Sequence, residues 1–296
     1  MNLEVLISCM HQKNLKLAER TGIHSYALII NQCPDENALA ARKGSQESAR
    51  HQTSKAPLSN QDELEMTGSA DGRIRMLRTS TRGLSRSRNL AIQHAIGEIC
   101  LLCDDDEELD PSYEETILQA YERMPEADVI CFRIKNQPSR LKQETQRLTK
   151  WTALRIASWQ ITFRRASIIN RGILFDEDMG AGTGNGGGEE VKFLRDCIQA
   201  GLKAYYVPDS IGTVAQTEST WFQGFNRDFF YKRGVTNRYM LGLPISLAYA
   251  LYYTIVKQKL YKSAVTPWQS FYYTVEGIMA NDIEKQKKRR KKVGKS

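Results

Sequence analysis

The sequence predicts an α/β protein built on a mostly parallel sheet with helices on both faces. Short apolar runs alternate with amphipathic stretches several times between residues 3 and 134, as in chains that fold by strand–helix alternation. Residues 99–103 form an uncharged run after Gly97, which is typical of a strand buried on both faces. Five acids follow at 104–108, and open α/β sheets place ligand sites at the carboxyl ends of their strands.

Composition limits the class of protein. With 296 residues, the chain can form one large domain or two small ones. Residues 285–295 hold eight basic residues and no acid, and the rest of the chain has 34 basic and 34 acidic residues. A neutral body argues against a nucleic-acid-binding face, whereas the basic tail predicts contact with an anionic surface.

The cysteines and the N-terminus indicate a compartment. Six cysteines lie mostly in apolar runs, and without a second C-x-x-C pair or a histidine cluster they predict reduced, buried thiols. Because such thiols are typical of the cytosol, we expect a cytoplasmic protein. The acidic Glu4 and the short apolar run around it argue against a signal peptide.

The elements follow from periodicity and from their boundary residues. Gly22, Gly97 and Gly201 are predicted helix stops. Ser85 and Asp110 are predicted N-caps, the latter before Pro111. Residues 36–72 have few large apolar side chains and are predicted to be a mobile surface insertion. The predicted strands are 3–8, 26–30, 74–77, 99–103, 128–134, 159–163, 173–175, 203–207 and 211–214, and the predicted helices are 14–20, 84–96, 111–124 and 189–200.

The acid cluster is the first candidate site. Adjacent carboxylates repel one another unless a cation or solvent balances them. Alternate residues of an extended segment point the same way, so Asp104 and Asp106 are predicted to share a divalent metal. A solvated acidic loop is the plain alternative. A calcium-binding loop is excluded because Leu109 stands where such a loop needs glycine.

A glycine-rich loop at 180–188 leads into Glu189 and Glu190. The loop lacks the Gly-Lys-Ser/Thr ending of a phosphate-binding P-loop. A carboxylate in the first turn of a helix is stabilised as an anion, and flexible glycines permit closure over a substrate. The pair is therefore a candidate general base, with simple complementation of the helix dipole as the alternative.

Four motifs in order resemble those of a known family. Residues 83–92 read GLSRSRNLAI, residues 97–111 end a strand in D-x-D, 163–167 (FRRAS) precede 175–177 (FDE), and 188–194 read GEEVKFL. In this combination the chain resembles the family 2 glycosyltransferases over about residues 1–235. These are inverting nucleotide-sugar enzymes with the GT-A fold, a Rossmann-like sheet flanked by helices.

The resemblance implies roles for particular residues. Asp106, with Asp104, would bind Mg²⁺ or Mn²⁺ at the donor diphosphate, where a metal neutralises charge on the departing group. Glu190 would deprotonate the acceptor hydroxyl, with Glu189 beside it as a second catalytic candidate. The implied residues of the nucleotide-sugar site are Ser8, Asn31, Arg88, Asn89, Asp104 and Asp105.

Three positions depart from the family pattern. Asn31 stands where an aspartate usually reads the base, although an amide can also pair with uracil. Glu190 replaces the usual aspartate, and Gln216 replaces a histidine that often contacts the metal. Trp221 is a candidate for stacking on an acceptor sugar, with a core or membrane-facing role as the alternative.

The uncharged run 239–256 predicts a membrane-seeking region. As one helix it would be about 27 Å long, slightly short of a ~30 Å bilayer core, and Gly242 and Pro244 interrupt it. With lysines and arginines on both sides, it favours helices lying in the membrane interface. A packed or dimer-forming helix is the alternative, so a homodimer stays open.

Together these observations predict a catalytic domain at 1–235 and a helical, membrane-associating region at 236–296. The catalytic domain would divide into a nucleotide-sugar half at 1–134 and an acceptor half at 135–235. We expect an inverting glycosyltransferase on the inner face of the cell membrane. It would transfer a sugar to a lipid-linked glycan in surface polysaccharide synthesis, and a UDP-sugar is the expected donor. The rivals are a sugar-nucleotide nucleotidyltransferase, whose glycine-rich N-terminal loop is missing at 3–12, and a non-catalytic nucleotide-sugar-binding scaffold.

Overall fold

The computed structural model describes residues 1–32, 64–138, 141–214 and 224–293. The chain forms two compact units. The first comprises Met1–Phe175 and Phe193–Ala215, and the second comprises Asp176–Lys192 and Gln216–Ser296. These boundaries follow compactness, whereas the predicted division at residue 235 concerns function and stays a prediction.

A nine-stranded sheet forms the first unit, in the order β3-β4-β2-β1-β5-β9-β7-β10-β8. β1 lies parallel to both β2 and β5, β2 to β4, and β10 to β7. β9 runs antiparallel between β5 and β7, and β6 and β11 form a separate antiparallel pair. The strands are β1 (Leu3–Met10), β2 (Tyr26–Gln32), β3 (Glu65–Gly68), β4 (Ile74–Thr79), β5 (Ile99–Asp104), β6 (Glu107–Leu109), β7 (Val129–Arg133), β8 (Gln146–Arg147), β9 (Ile161–Arg164), β10 (Ala204–Ser210) and β11 (Gly212–Val214).

Both faces of the sheet are covered, which confirms the predicted fold class. On β5, Cys100 and Leu102 join one apolar core, whereas Leu101 and Cys103 join the other. This alternation is what a strand buried on both faces requires. The helices of the first unit are α1 (Lys16–Arg20), α2 (Leu84–His94), α3 (Tyr113–Arg123) and α4 (Arg165–Asn170), while α5 (Glu189–Gln199) begins in the second unit and continues into the first.

The carboxylate of Glu4, near the start of β1, is buried and fully engaged in hydrogen bonds. Glu4 is fully buried and accepts hydrogen bonds from Arg75 at 2.5 Å and from the backbone N–H groups of Ile96 and Gly97 at 2.6 and 2.8 Å. A Cβ on Gly97 would lie 2.5 Å from the Cβ of Glu4. Gly97 is therefore required by a close approach to β1, and not as the helix stop that the sequence predicts.

Other local predictions were wrong for identifiable reasons. Ser85 makes no cap, because α2 follows Gly83 and has no side-chain capping bond. Helix α3 begins two residues after Pro111, since residues 110–112 form a turn that the Tyr113 N–H to Asp110 O bond closes. Residues 173–175 form no strand, and within the predicted insertion 36–72 residues 65–68 form β3. Residues 36–63 lie outside the described part.

Three helices dominate the described part of the second unit: α6 (Arg227–Val256), α7 (Pro267–Ala280) and α8 (Asp282–Val293). α6 is kinked at Gly242, whose φ is 77°. α6 and α7 approach closely at two glycines. A Cβ on Gly234 would lie 2.1 Å from Thr274 O, and one on Gly277 would lie 2.0 Å from Tyr231 O. Only residues without a side chain permit this packing.

Helix α6 is the one helix of the described chain that is long and apolar enough to cross a membrane. Its most apolar window has a mean hydropathy of 1.4, and 17% of that window is buried. Large apolar side chains are exposed along the carboxyl half of α6, in the 3-10 turn Gln258–Leu260 that follows it, and along α7. They include Ile245, Leu251, Tyr252, Ile255, Val256, Leu260, Trp268, Tyr272 and Met279, and we call this set the outer apolar surface.

Candidate active site

The candidate site in the first unit lies at the carboxyl ends of two adjacent parallel strands. Asp104 is the last residue of β5, and it pairs in register with Ser8 of β1. The Ser8 hydroxyl in turn accepts a hydrogen bond of 2.8 Å from Ser87 of α2. The sheet thus brings two residues that lie far apart in the sequence to the position where such sheets bind ligands.

Two side chains fix the orientation of the Asp104 carboxylate. The guanidinium of Arg88 donates to Oδ1 at 3.0 Å, and the hydroxyl of Ser158 donates to Oδ2 at 3.1 Å. The side chain of Arg88 is almost fully buried, whereas that of Asp104 is a quarter exposed. A charge-assisted bond from a buried arginine is among the stronger hydrogen bonds of proteins. It holds Asp104 in one orientation with part of its surface open.

The neighbouring Asn89, whose implied donor contact stays a prediction, bonds the backbone of Phe175 in this structure. Its amide donates to Phe175 O at 3.0 Å and accepts from the Phe175 N–H at 2.8 Å. The Phe175 ring lies under the Arg88 guanidinium at 5.5 Å and stacks on Phe193 at 4.3 Å. Because both polar ends of the Asn89 amide bond this backbone, Asn89 positions Phe175.

The acids after Asp104 do not continue as an extended segment. β5 ends at Asp104, and Asp105 and Asp106 form a turn before β6. The prediction that Asp104 and Asp106 share a face by strand alternation was therefore wrong in its premise. Asp106 is exposed and Asp105 half-buried. Burial raises the pKa of both carboxyl groups, and the negative charge of Asp104 raises them further.

Glu107 is the buried member of the acidic run. Its Oε1 accepts a 2.6 Å hydrogen bond from the backbone N–H of Asp104. Burial, followed by repulsion from Asp104, raises the pKa of Glu107 well above its usual range. Glu107 is therefore the acid of the cluster that burial most disfavours as an anion, and its carboxyl group braces the turn through the Asp104 N–H.

The Asn31 amide is engaged inside the protein. It is fully buried, donates to Gln12 O at 2.6 Å and accepts from the Gln12 N–H at 3.0 Å. Reading a uracil with this amide would require both bonds to break. In this structure the amide holds the segment after β1, and the base-reading role of Asn31 stays a prediction.

The donor set fits a metal ion that substrate phosphates help to hold. Within the described residues, no group of three or more His, Cys, Asp or Glu side chains is arranged to hold an ion by itself. Mg²⁺ commonly takes one or two carboxylates and completes its shell with substrate phosphates and water. Burial raises the pKa values of Asp105 and Asp106, and the negative charge of Asp104 raises them further; a cation relieves that repulsion.

The remaining predicted residues lie in the second unit or outside the described chain. Glu189 and Glu190 occupy the first turn of α5, as the sequence predicts. Glu189 is buried and Glu190 half-buried. The predicted acceptor contact Trp221 and the predicted histidine replacement Gln216 lie outside the described residues.

Sequence reasoning missed Ser158, Glu107 and the role of Phe175. Ser158 sits in a short 3-10 turn, Ser158–Gln160, with no motif around it. Glu107 looked like one more acid in a run of five, and only burial separates it from the others. The order of the GLSRSRNLAI and FDE motifs hinted at Phe175, but its pairing with Asn89 spans 86 residues.

Comparisons with known proteins agree with this geometry. Residues 59–182 match the model of Glycosyl transferase family 2. S. aureus TarS 1–349 in complex with UDP has a TM-score of 0.54 at 12% identity, covering 90% of this chain and 76% of that one. The same protein in complex with UDP-GlcNAc gives 0.53 at 13%, covering 89% and 74%. No curated protein matches the sequence.

A third solved structure extends the likeness. The mannosyltransferase PcManGT from Pyrobaculum calidifontis, in complex with GDP-Man and Mn²⁺, has a TM-score of 0.50 at 13% identity, covering 94% of this chain and 74% of that one. The order of the sheet and these likenesses show a GT-A-like fold. Residues 59–182 are thus similar to glycosyltransferase family 2. The matched region contains Arg88, Asp104 and Phe175, and it ends before Glu189.

Proposed function

We propose that this protein is a glycosyltransferase that moves a sugar from UDP to a hydroxyl of a lipid-linked glycan, with inversion, in the synthesis of a surface polysaccharide. The observation that carries the donor half is the Asp104 carboxylate, held by Arg88 and Ser158 at the carboxyl end of β5. A part-exposed anion fixed by two donors is pre-organised, so little reorganisation is needed when a donor and its cation bind.

The choice of UDP rests on the comparisons. Two of the similar structures hold UDP or UDP-GlcNAc, and a third holds GDP-Man, so the fold accepts more than one base. At 12–13% identity these likenesses concern the fold. UDP-sugars are therefore the first donors to test, with GDP-mannose as the comparison.

A divalent cation, Mg²⁺ or Mn²⁺, would be held by Asp106 and Asp104 together with the donor diphosphate. It would supply neutralisation of the charge that develops on the departing nucleoside diphosphate. The protein's own residues then have distinct tasks. Arg88 keeps the Asp104 carboxylate oriented, and Ser8 and Asp105 line the same strand ends.

Glu190 is the proposed base. It would take the proton from the acceptor hydroxyl while the hydroxyl oxygen attacks the anomeric carbon opposite the leaving diphosphate, which inverts that carbon. A group that accepts a proton from a substrate needs access, and Glu190 is half-buried whereas Glu189 is buried. Glu189 then complements the amino-terminal dipole of α5.

The membrane half of the proposal rests on the outer apolar surface. Between Phe229 and Val275 the chain contains no acid and six basic residues. Trp268 is 74% exposed. Tyr272 lies one helical turn after it on α7 and is exposed as well. Exposed aromatic side chains beside lysines suit the boundary between lipid headgroups and acyl chains. Such a position would bring the enzyme to a lipid-linked acceptor on the inner face of the cell membrane.

The test of the transfer reaction compares Glu190→Gln with Glu189→Gln. Removing a general base lowers turnover by about 10²–10⁴-fold, so Glu190→Gln should lose transfer while its Kd for the donor changes less than about twofold. Glu189→Gln should keep turnover within about tenfold. Donor Kd is measured by titration calorimetry with Mn²⁺, and transfer by release of the nucleoside diphosphate. Retained turnover in Glu190→Gln would refute the assignment.

A further inference from the structure

Two buried acids in the second unit are unused by the proposed reaction. Asp176 and Asp178 lie directly before the glycine-rich loop, and their side chains are only 11% and 8% exposed. Carboxylates are rarely buried to this degree unless they are paired. Their partners identify what holds this segment of the chain.

The partners come mainly from the basic C-terminal helix α8. Lys287 Nζ lies 2.8 Å from Asp176 Oδ2 and 3.6 Å from Asp178 Oδ2, and Arg290 Nη1 lies 2.6 Å from Asp178 Oδ1. Tyr239 of α6 donates to Asp176 Oδ2 at 2.5 Å, and Lys287 also contacts the Tyr239 hydroxyl. Two basic residues of the tail are therefore paired with carboxylates of the same unit.

The two ionised forms stabilise each other. Burial by itself raises the pKa of Asp176, but the hydrogen bonds from Lys287 and Tyr239 outweigh it and hold that pKa below its usual value. Burial lowers the pKa of Lys287, but the hydrogen bond to Asp176 outweighs burial and raises that pKa above its usual value. The pair thus stays charged on both sides of neutral pH.

The loop is also tied to α8 by neutral contacts. The Asn185 amide donates to Asp178 O at 3.0 Å and to Gln286 Oε1 at 3.1 Å. The Gly180 N–H donates to Gly186 O at 2.9 Å, which closes the loop on itself. Beneath these polar contacts, Ile283 of α8 packs with Met179 in a small apolar cluster.

Such ties matter because this loop has little intrinsic preference for one conformation. Five of its glycines have positive φ angles between 80° and 102°: Gly180, Gly182, Gly184, Gly186 and Gly188. Glycine loses more conformational freedom on ordering than any other residue. Helix α5 starts with Glu189 immediately after the last of them, so the loop's conformation sets where that helix begins.

We propose that Lys287 and Arg290 are positioning residues for sugar transfer. By holding Asp176 and Asp178, they order the glycine-rich loop and place Glu190 where it can take the acceptor's proton. This inference rests on the proposed role of Glu190. The inference gives α8 a role besides contact with an anionic surface. It concerns the acceptor step, and donor binding stays with residues of the first unit.

The test replaces each cation with an uncharged side chain of similar length in the full chain. For Lys287→Met and Arg290→Met we expect kcat/KM for the acceptor to fall about tenfold each and further in the double variant. Donor Kd should change less than about twofold. Lys288→Met and Arg289→Met are the matched controls, because both residues are exposed on the same helix, and they should retain activity within about twofold.

A conservative series and an exchange measurement separate positioning from general stability. Lys287→Arg should recover most of the activity, and the pair Asp178→Lys with Arg290→Glu should exceed either single variant. Amide hydrogen exchange of residues 178–192 should accelerate about tenfold in Lys287→Met, while exchange in β1 and β5 stays unchanged. A variant that does not fold is replaced by its conservative counterpart at the same position.

The outcomes are distinct. If Lys287→Met transfers sugar as fast as the wild type, or if donor Kd worsens in parallel with kcat/KM, the positioning role is overturned while the proposed function stands. If the wild-type chain transfers no sugar from any nucleotide donor, or if Glu190→Gln retains turnover, the proposed function fails and the positioning role fails with it. Loss of acceptor kcat/KM with normal donor binding supports both.

Discussion

The Arg88 guanidinium lies 3.0 Å from Asp104 Oδ1 and covers the ring of Phe175 at 5.5 Å. One buried side chain therefore contacts both Asp104, at the end of β5, and Phe175, the last residue of the segment Met1–Phe175. The next residue along α2, Asn89, holds the backbone of the same phenylalanine. A single helix thus fixes both the donor-side acid and the point where the chain enters the second unit.

The first prediction concerns this bond. Arg88→Met removes one of the two side-chain donors to Asp104, and a hydrogen bond to a charged group is worth about 1.5–3 kcal/mol. We expect the Kd for UDP-sugar with Mn²⁺ to rise about 10–100-fold, with Arg88→Lys in between. Gln93→Ala, exposed on the same helix, is the control. Calorimetry showing equal donor affinity in Arg88→Met and the wild type would contradict the role given to Arg88.

The second prediction uses the pH dependence of stability. The folded-state pKa of Glu107 is raised, so its contribution to stability is fully present below the unfolded pKa of about 4.3 and is lost as pH rises through the folded pKa. Glu107→Gln mimics the protonated form and keeps an acceptor for the Asp104 N–H. A gain on the order of 1 kcal/mol would raise Tm by about 2–4 °C.

The measurement is thermal unfolding at pH 4 and pH 8 in the presence of a chelator. We expect Glu107→Gln to unfold at a higher temperature than the wild type at pH 8 and at the same temperature at pH 4. Curves separated by the same interval at both pH values would mean that Glu107 ionises normally in the folded protein.

The third prediction concerns the buried carboxylate of Glu4. Glu4→Ala leaves the charge of Arg75 and the N–H groups of Ile96 and Gly97 without their partner. Breaking a buried ion pair by removing one partner costs about 3–5 kcal/mol, measured as the free energy of unfolding in urea. Glu98→Ala, whose side chain is 64% exposed, should cost less than about 1 kcal/mol. Equal losses in the two variants would show that burial of Glu4 is not what matters.

The fourth prediction concerns the outer apolar surface. Trp268→Ser combined with Leu260→Ser removes two of its exposed members, and apolar burial contributes about 25 cal/mol per Å². We expect binding to vesicles of phosphatidylglycerol and phosphatidylcholine to weaken at least tenfold. Trp151→Ser is the control, because Trp151 is 56% exposed in the first unit.

Two results would count against a membrane role for this surface. One is unchanged vesicle binding by the double variant. The other is a wild-type dimer that the double variant converts to a monomer in light scattering, with no vesicle binding by either form. That second result would make the surface a contact between copies of the chain, the alternative that the sequence leaves open.

Much of the fold could be predicted from the sequence. Alternating apolar runs predicted the strands of the parallel sheet, and the length of residues 99–103 predicted a strand buried on both faces. The sequence also placed Asp104 at a strand's carboxyl end and Glu189 and Glu190 in the first turn of a helix. These features depend on local periodicity and on residue type, which can be read along the chain without knowing its contacts.

The tertiary structure alone decided which side chains meet. Arg88 reaches Asp104 and Asn89 reaches Phe175 across 16 and 86 residues, and Lys287 reaches Asp176 across 111. The fold also pairs the Asn31 amide with the backbone of Gln12, and it makes part of the basic tail a partner for the acids Asp176 and Asp178. Local sequence cannot specify such pairings, because burial and long-range packing determine which polar groups lose water and must find each other.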